Sequence, residues 1–326
     1  MTSRPHYGGA QWRSGLGALL MLAACAGCTT PVPRALSGAD FLSMDRRPVE
    51  GKEFDNPVYV YARGDRRKPP LLLLHELPGL SEPTLEYARE LSEHFTVYVP
   101  RLFGDTGQQS SFRGMLAYQF NGDWDESTVD GFASRRITRW LRLVLARIER
   151  DHPGQSVAII GMCLSGDLPL ALAAGDNPAN PPHVKAVVVA QPTLPMSSLV
   201  IHRDALGISD EEYRRAAALA NKGNLKVYAV RFRTDSMARR EKFERMRRDL
   251  GGGFCDGEID NERIDLIPGE PRGEPIRGRA HSSLVGELDD VDAGTAVAFR
   301  RHEVVTFLLN VDTLPPRRTS LCGPVR

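Results

Sequence analysis

The stretch Ile159-Ile160-Gly161-Met162-Cys163-Leu164-Ser165-Gly166 joins two segments of different character. The β-branched apolar run Val157–Ile160 predicts a strand, and the Leu- and Ala-rich segment Leu168–Ala174 is compatible with a helix. Between them, only small residues lie two positions before Cys163 and two and three positions after it. A strand, a sharp turn with a nucleophile between small residues, and a helix together predict a nucleophile elbow.

An elbow of this kind predicts the chemistry of Cys163. The turn would lift the thiol above the edge of the sheet, with the N-terminus of the next helix directed at it. Backbone N–H groups and the helix dipole there favour a thiolate or an oxyanion. The residue after the nucleophile, Leu164, would donate one N–H group to that oxyanion. The stretch alone leaves open a buried structural cysteine at a tight strand–helix turn.

Composition restricts the class of protein. The chain has 326 residues, of which 41% are hydrophobic, and a formal net charge of +1. These values are ordinary for a globular protein and fit one large α/β domain or two small ones. The balanced charge provides no basic footprint for nucleic acid. Because phosphate-loop, dinucleotide-binding and metal-ligand spacings are missing from the sequence, we expect neither cofactor nor metal.

The N-terminus has the pattern of a targeting signal. Two arginines precede the apolar run Leu16–Ala24, which is too short to span a bilayer. The run leads into Leu22-Ala23-Ala24-Cys25, which resembles a bacterial lipobox. That resemblance implies acylation of Cys25 as the mature N-terminus, with Cys28 as the alternative site. An ordinary secretory signal that contains cysteine is the other interpretation.

The expected organisation follows from this signal. We predict a lipoprotein signal peptide, a tether, a folded α/β domain and a C-terminal tail over residues 1–25, 26–44, 45–315 and 316–326. Ala26 after the lipobox resembles an outer-membrane sorting pattern, so we expect a lipid anchor on the periplasmic face. Without acylation the protein would be periplasmic or secreted. An oxidising compartment allows Cys255 and Cys322 to pair, which the sequence leaves open.

Strand and helix patterns alternate along the rest of the chain. The predicted strands are Val58–Ala62, Leu71–Leu74, Phe95–Val99, Val157–Ile160, Val184–Val189, Leu225–Phe232 and Arg263–Ile267. The predicted helices are Pro83–His94, Ile137–Ile148, Leu168–Ala174, Asp210–Ala220, Ser236–Leu250 and Thr295–Asn310. This alternation predicts a mostly parallel central sheet with helices on both faces. The segment from Gly104 to about Asp130 lacks periodicity and is predicted to be a functional loop or lid.

Four motifs in order carry a resemblance to a known family. They are His75-Glu76-x-Pro-Gly, the elbow at Gly161–Gly166, Asp235 after a predicted strand, and His281 after the last one. Over roughly Val58 to Leu309 the chain resembles the dienelactone hydrolase family of α/β-hydrolases. The resemblance implies the α/β-hydrolase fold, in which nucleophile, acid and histidine occur in this order. In the elbow, Ser165 replaces the first glycine of the family's closing pair.

The resemblance also implies a role for each residue. Cys163 would be the nucleophile, His281 its base and Asp235 the acid that orients the imidazole. The second oxyanion donor would be the backbone N–H of Leu77. A carboxylate beside a thiol disfavours the thiolate, so Glu76 would keep the resting thiol neutral until substrate enters.

Several of these residues have other interpretations. Glu76 has the alternative role of capping a helix near Pro83, and Asp235 that of a helix N-cap, which is compatible with catalysis. If Asp235 is not the acid, Asp256 and Asp265 are the fallback acids. The histidines without a motif, His183, His202 and His302, are expected at the surface.

Two departures from the family pattern bear on the substrate. Asp105 and Val285 occupy the places where the family's dienelactone-cleaving members have arginines. Neither an acidic nor an apolar residue replaces bidentate recognition of a carboxylate. We therefore do not expect the dienelactone as substrate, unless Arg101 or Arg113 compensates.

The sequence thus predicts a hydrolase of small carboxylic esters or lactones that works through a Cys-His-Asp triad and an acyl-enzyme. An acyl or thioester transferase on the same site is one alternative. A non-catalytic binding lipoprotein of the envelope is another, disfavoured because an idle site need not keep all four predicted residues.

Overall fold

The computed structural model describes residues 45–49, 58–104, 114, 136–177, 179, 181–259, 280–286 and 291–312. Its strands are β1 Asp45–Val49, β2 Val58–Arg63, β3 Pro70–Leu74, β4 Thr96–Pro100, β5 Ala158–Met162, β6 Ala186–Ala190, β7 Lys226–Phe232 and β8 Phe254–Ile259. Its helices are α1 Glu82–Leu91, α2 Arg136–Asp151, α3 Leu168–Ala174, α4 Asp210–Asn221, α5 Arg240–Asp249 and α6 Val291–Leu309. Short 3₁₀ turns follow β5, precede α4 and separate α5 from β8.

The eight strands of the described residues form one sheet in the order β1-β2-β4-β3-β5-β6-β7-β8. From β4 to β8 the six neighbouring strands are parallel, whereas β1 and β2 add an antiparallel edge. Every residue of β3, β4, β5, β6 and β7 is buried. Continuous burial is expected where helices cover both faces of a parallel sheet, and the predicted fold class is therefore confirmed.

Alternation along the central strands creates two apolar layers. Leu72 and Leu74 of β3 face one layer, which contains buried residues of α2, α3, α4 and α5. Leu71 and Leu73 face the other layer, which contains buried residues of α1 and α6. The helices thus hold the sheet from both sides and leave the carboxyl ends of the parallel strands at one edge, where ligands bind in open α/β sheets.

Two edge strands differ from the prediction. Neither β1, which is rich in charge, nor β8, whose residues are alternately buried and half-buried, was predicted from the sequence. Both lack the continuous apolar run of the central strands, and each is held by pairing with a single neighbour. The predicted strand Arg263–Ile267 lies outside the described residues, as does most of the aperiodic segment after Gly104.

The predicted signal peptide, tether and C-terminal tail also lie outside the described residues. Within the described part, no helix is both long enough and apolar enough to cross a membrane. Cys255 in β8 is disulfide-bonded. Cys322, whose pairing with Cys255 the sequence leaves open, lies outside the described residues.

Candidate active site

The elbow is built as the sequence predicts. Cys163 directly follows β5 and has a φ of +53°, a left-handed conformation that costs energy for a residue with a side chain. A Cβ atom on Gly161 would lie 2.3 Å from the carbonyl oxygen of Ser165. A Cβ atom on Gly166 would lie 2.7 Å from the carbonyl oxygen of Ala190. Both glycines are therefore required sterically for the chain to make this turn.

Three side chains from separate loops meet at the elbow. The sulfur of Cys163 lies 3.3 Å from Nε2 of His281, and Nδ1 of His281 lies 2.7 Å from Oδ2 of Asp235. Each of the three residues is at most 7% exposed. The structure thus brings the predicted nucleophile, base and acid into one hydrogen-bonded chain. The fallback acid Asp256 instead pairs with Arg247, and Asp265 lies outside the described residues.

The two carboxylate oxygens of Asp235 accept hydrogen bonds from different groups. Oδ2 binds the histidine, whereas Oδ1 accepts the backbone N–H groups of Met237 at 2.8 Å and Ala238 at 3.1 Å. The buried guanidinium of Arg231 donates to the carbonyl oxygen of Ala238 at 2.5 Å. Because helix α5 begins after this turn, with Arg239 at its N-cap, Asp235 closes the turn and does not cap the helix.

The surroundings of His281 favour its charged form. Burial by itself would lower the pKa of the imidazole. The carboxylate of Asp235, the charge on the Cys163 sulfur and the hydrogen bonds to both groups outweigh burial and raise the pKa of His281 well above 6.5. The arrangement can therefore hold a thiolate–imidazolium pair.

Glu76 is buried and held by two other loops. One oxygen of its carboxyl group accepts the Ser282 hydroxyl, and the other accepts Nε2 of Gln191 at 2.8 Å. Ser283 in turn donates to the side-chain oxygen of Gln191. Burial raises the pKa of Glu76, although the Ser282 hydrogen bond opposes this effect. The carboxyl group is thus tied to the residue that follows His281.

This position bears on the two interpretations of Glu76. Helix α1 has Ser81 at its N-cap, so Glu76 does not cap it. The hydrogen bonds of its carboxyl group go to Ser282 and Gln191 and not to Cys163. That Glu76 controls the charge of the thiol stays a prediction.

The two predicted oxyanion donors lie on neighbouring segments. Leu164 directly follows Cys163 in the elbow. Leu77 follows β3 and packs against the apolar cluster that contains both Cys163 and Leu164. In the part of the chain that the structure describes, the backbone N–H of Leu77 donates to no acceptor. Such an N–H group remains available to a ligand.

Ser165 fastens these two segments together. Its buried hydroxyl lies 3.1 Å from the carbonyl oxygen of Leu74 and 3.0 Å from that of His75, and it accepts the backbone N–H of Met162 at 3.1 Å. In the sequence, Ser165 is distinctive only as a replacement for a glycine of the family pattern. Its tertiary role is to hold the elbow against the loop that begins after β3.

Comparison with known proteins identifies the architecture. No family model matches the chain, and no curated protein matches it. Among solved structures, a candidate lipase from Acinetobacter baumannii superposes with a TM-score of 0.50 at 14% identity, over 90% of this chain and 97% of the other.

The chain has the α/β-hydrolase fold. An esterase of Pyrococcus furiosus matches with a TM-score of 0.48 at 11% identity, over 86% of this chain and 95% of the other. A candidate hydrolase from Bacillus subtilis matches with a TM-score of 0.47 at 11% identity, over 90% of this chain and 99% of the other.

In this α/β-hydrolase fold the candidate residues follow the carboxyl ends of adjacent parallel strands. Glu76 follows β3, Cys163 follows β5, Thr193 follows β6 and Asp235 follows β7. Thr193 was not predicted from the sequence, because its loop carries no motif. Its buried hydroxyl oxygen lies 3.4 Å from the sulfur of Cys163 and 3.5 Å from Nε2 of His281.

The other histidines have structural or surface positions. Nε2 of the buried His75 accepts the backbone N–H of Leu102 at 2.9 Å, so Nδ1 carries the proton and donates to the Glu76 carbonyl oxygen at 3.1 Å. Burial lowers the pKa of His75 to about 4. His183, His202 and His302 are exposed, which confirms their prediction as surface residues.

From the sequence, four residues bear on the charge of the substrate, and two of them lie in the part of the chain that the structure describes. Val285 is buried beside the histidine loop, and Arg101 is half-buried at the end of β4. Asp105 and Arg113 lie outside the described residues. Within the described ranges, no three His, Cys, Asp or Glu side chains are grouped so that they could hold a metal ion.

Proposed function

We propose that the protein hydrolyses small carboxylic esters or lactones through an acyl-enzyme on Cys163. The chain Cys163–His281–Asp235, with distances of 3.3 and 2.7 Å, carries this proposal. Its position on a left-handed elbow at the carboxyl edge of the sheet supports it, because this geometry exposes a nucleophile beside backbone donors. The similar fold of the candidate lipase agrees with this reaction class.

The acylation step uses each group once. The Cys163 thiolate attacks the carbonyl carbon, and the electron pair of the C=O bond moves onto oxygen. The backbone N–H groups of Leu164 and Leu77 bind this oxyanion. As the intermediate collapses, the C–O bond to the alcohol breaks and His281 gives its Nε2 proton to the leaving oxygen. An acyl thioester remains on Cys163.

Deacylation reverses the role of the histidine. Neutral His281 takes a proton from water, and the resulting hydroxide attacks the thioester carbonyl. The second tetrahedral intermediate expels the Cys163 thiolate and releases the acid. Throughout, Asp235 holds Nδ1 of the imidazole and stabilises the imidazolium that forms.

The substrate is proposed to be uncharged near its acyl group. Val285, at the position of a family arginine, is buried in the apolar layer of α1 and α6 and provides no cation for a carboxylate. We expect kcat/KM for a neutral aryl ester to equal or exceed that for the matched ester bearing a carboxylate. A strong preference for the anionic ester would contradict this and would direct attention to Arg101 and Arg113.

Assays with short aryl esters and matched thioesters test the proposed reaction on the purified full-length chain. Cys163→Ala should lower kcat/KM by at least about 10³-fold, because the covalent route is lost. His183→Ala, at an exposed histidine, is the matched control and should leave the rate unchanged. Mass spectrometry should find the acyl group on the Cys163 peptide. Undiminished hydrolysis by Cys163→Ala would refute the proposal.

The same assay separates the alternative functions. Partitioning of the acyl group to an added thiol or alcohol in preference to water would indicate a transferase. Binding of the esters without turnover would indicate the non-catalytic protein.

The proposed location is the bacterial envelope, with a lipid anchor on Cys25 or Cys28. The lipobox-like sequence supports this location. The disulfide at Cys255 agrees with it, because structural disulfides persist mainly in oxidising compartments.

A further inference from the structure

Thr193 lies at the centre of the candidate site without any role in the triad. It is fully buried on the loop that follows β6. Its hydroxyl oxygen has three neighbours: the sulfur of Cys163 at 3.4 Å, Nε2 of His281 at 3.5 Å and the carbonyl oxygen of Gln191 at 3.3 Å. One hydroxyl proton thus has a choice of acceptors, and two of them are the reacting atoms.

The loop that carries Thr193 is held firmly. The backbone N–H of Thr193 donates to the carbonyl oxygen of Cys163 at 3.1 Å. From helix α5, the fully buried ammonium of Lys242 donates to the carbonyl oxygens on either side, at 3.2 Å from Pro192 and 2.6 Å from Leu194. A buried charge with two backbone acceptors on this loop restricts its movement. The hydroxyl position is therefore preorganised and does not require substrate.

The protonation state of Cys163 determines which acceptor the Thr193 hydroxyl donates its hydrogen bond to. In the neutral pair the thiol donates to Nε2 of His281, and the Thr193 hydroxyl donates to the Gln191 carbonyl. When the proton moves from sulfur to Nε2, the imidazolium donates to the thiolate, which has lone pairs left to accept a second donor. A hydrogen bond made to the charged form favours that form.

We infer that Thr193 is a further catalytic residue, whose hydroxyl donates a hydrogen bond to the Cys163 thiolate and stabilises it before attack and upon its expulsion. This role deepens the proposed function and rests on it for its place in turnover. Its effect on the thiol can be measured without any ester.

The test measures the rate of iodoacetamide alkylation of Cys163 against pH in the full-length chain. Mass spectrometry of the Cys163 peptide separates this thiol from the other cysteines, and Cys163→Ser supplies the blank. Two matched pairs isolate the hydroxyl: Thr193→Val against the wild type, and Thr193→Ala against Thr193→Ser. Thr193→Ala and Thr193→Ser both lack the methyl group of threonine and differ only in the hydroxyl. This second pair therefore tests the hydroxyl even if Thr193→Val does not fold.

Loss of the hydroxyl should move the alkylation midpoint upward by about one pH unit, the size expected for one hydrogen bond to a charged group. Well below the midpoint, alkylation of Thr193→Val should therefore be about tenfold slower. Above the midpoint the rates should converge, because both thiols are then ionised. Thr193→Ser should retain the wild-type midpoint. A merely structural role would change folding or lower the rate at every pH.

Equal midpoints within both pairs would overturn the inference. This result is distinguishable from failure of the proposed function. If the midpoint moves but the wild type hydrolyses no ester, the thiolate donor stands and the hydrolase proposal falls. If esters are hydrolysed and the midpoints are equal, the hydrolase proposal stands alone.

Discussion

At the scale of single residues, the site depends on how its buried ionisable groups are neutralised. His281 is flanked by Asp235 and Cys163, whereas the hydrogen bonds to the Glu76 carboxyl group come from the neutral side chains of Ser282 and Gln191. A carboxylate with neutral partners in a buried position ionises reluctantly. A raised pKa therefore has opposite consequences for the charge of the two groups. The protonated histidine carries charge, and the protonated carboxyl group carries none.

Glu76→Gln tests whether this carboxyl group affects the thiol. We expect alkylation of Cys163 to be faster in the variant, because a negative charge near the thiolate is removed. The raised pKa of Glu76 means that the difference should grow as pH rises and the wild-type carboxyl group ionises. Glu93→Gln, at an exposed position, is the control. Identical alkylation profiles for wild type and Glu76→Gln would show that Glu76 does not affect the reactivity of the thiol.

His75 predicts a pH-dependent term in stability. Its folded pKa of about 4 lies below the usual 6.5, so the unfolded chain binds more protons between these values. The stability contribution is complete above pH 6.5 and is lost as pH falls through 4. When the pH is lowered from 6.5 to 4, the unfolding free energy of the wild type should fall by up to about 3 kcal/mol more than that of His75→Gln. Urea denaturation at each pH measures this difference. Parallel pH profiles for the two proteins would contradict this assignment.

At the scale of elements, the elbow is stabilised by hydrogen bonds to a different segment, the end of β3. Gly161 and Gly166 leave room for the turn, but the hydroxyl of Ser165 links it to carbonyl oxygens at the end of β3. Leu164 and Leu77 lie on the two segments that this hydroxyl joins. The geometry of the proposed oxyanion site therefore depends on a contact between elements that are far apart in the chain.

Ser165→Ala should weaken both stability and turnover. Removing the hydroxyl leaves a buried N–H and carbonyl oxygens with fewer partners, at a cost of about 1–3 kcal/mol of unfolding free energy. We also expect kcat to fall with KM nearly unchanged, because the oxyanion donors would be displaced relative to each other. Ser156→Ala, at a half-buried serine after α2, should change the free energy by no more than about 0.5 kcal/mol. Wild-type stability and kcat for Ser165→Ala would refute this role.

At the scale of the whole molecule, the α/β-hydrolase domain and the proposed anchor are separate parts of the chain. The described sheet begins at Asp45, and the lipobox-like sequence ends at Cys25. Acyl chains on the mature N-terminus would tether the domain without contributing to its core. Attachment to the membrane and hydrolysis should therefore be separable by mutation.

Cys25→Ser, with Cys28 intact, should abolish acylation and release the protein from the membrane fraction, while kcat/KM for soluble esters stays unchanged. Metabolic labelling with a fatty acid and cell fractionation measure the first effect. Label that persists on Cys25→Ser and disappears with Cys28→Ser would place the anchor on Cys28. Label that survives both changes, or is missing from the wild type, would show that the protein is not a lipoprotein.

The amino-acid sequence by itself determined the local features of this protein. The elbow at Cys163 was predictable because a strand, a tight turn and a helix lie within the eighteen consecutive residues 157–174, and each requires particular residue types. The buried parallel strands were predictable because strands covered on both faces are continuously apolar. The resemblance to a known family, and no local pattern, indicated that Asp235 and His281 belong with Cys163.

Only the tertiary structure decided what surrounds these groups. β1 and β8 carry charged residues, and pairing with one neighbour makes them strands. Glu76, Thr193 and Ser282 come from three loops that no local pattern connects, and they meet because those loops lie at one edge of the folded molecule. The reason is physical: a hydrogen bond between residues distant in the chain depends on the packed positions of both loops, which short-range periodicity does not encode.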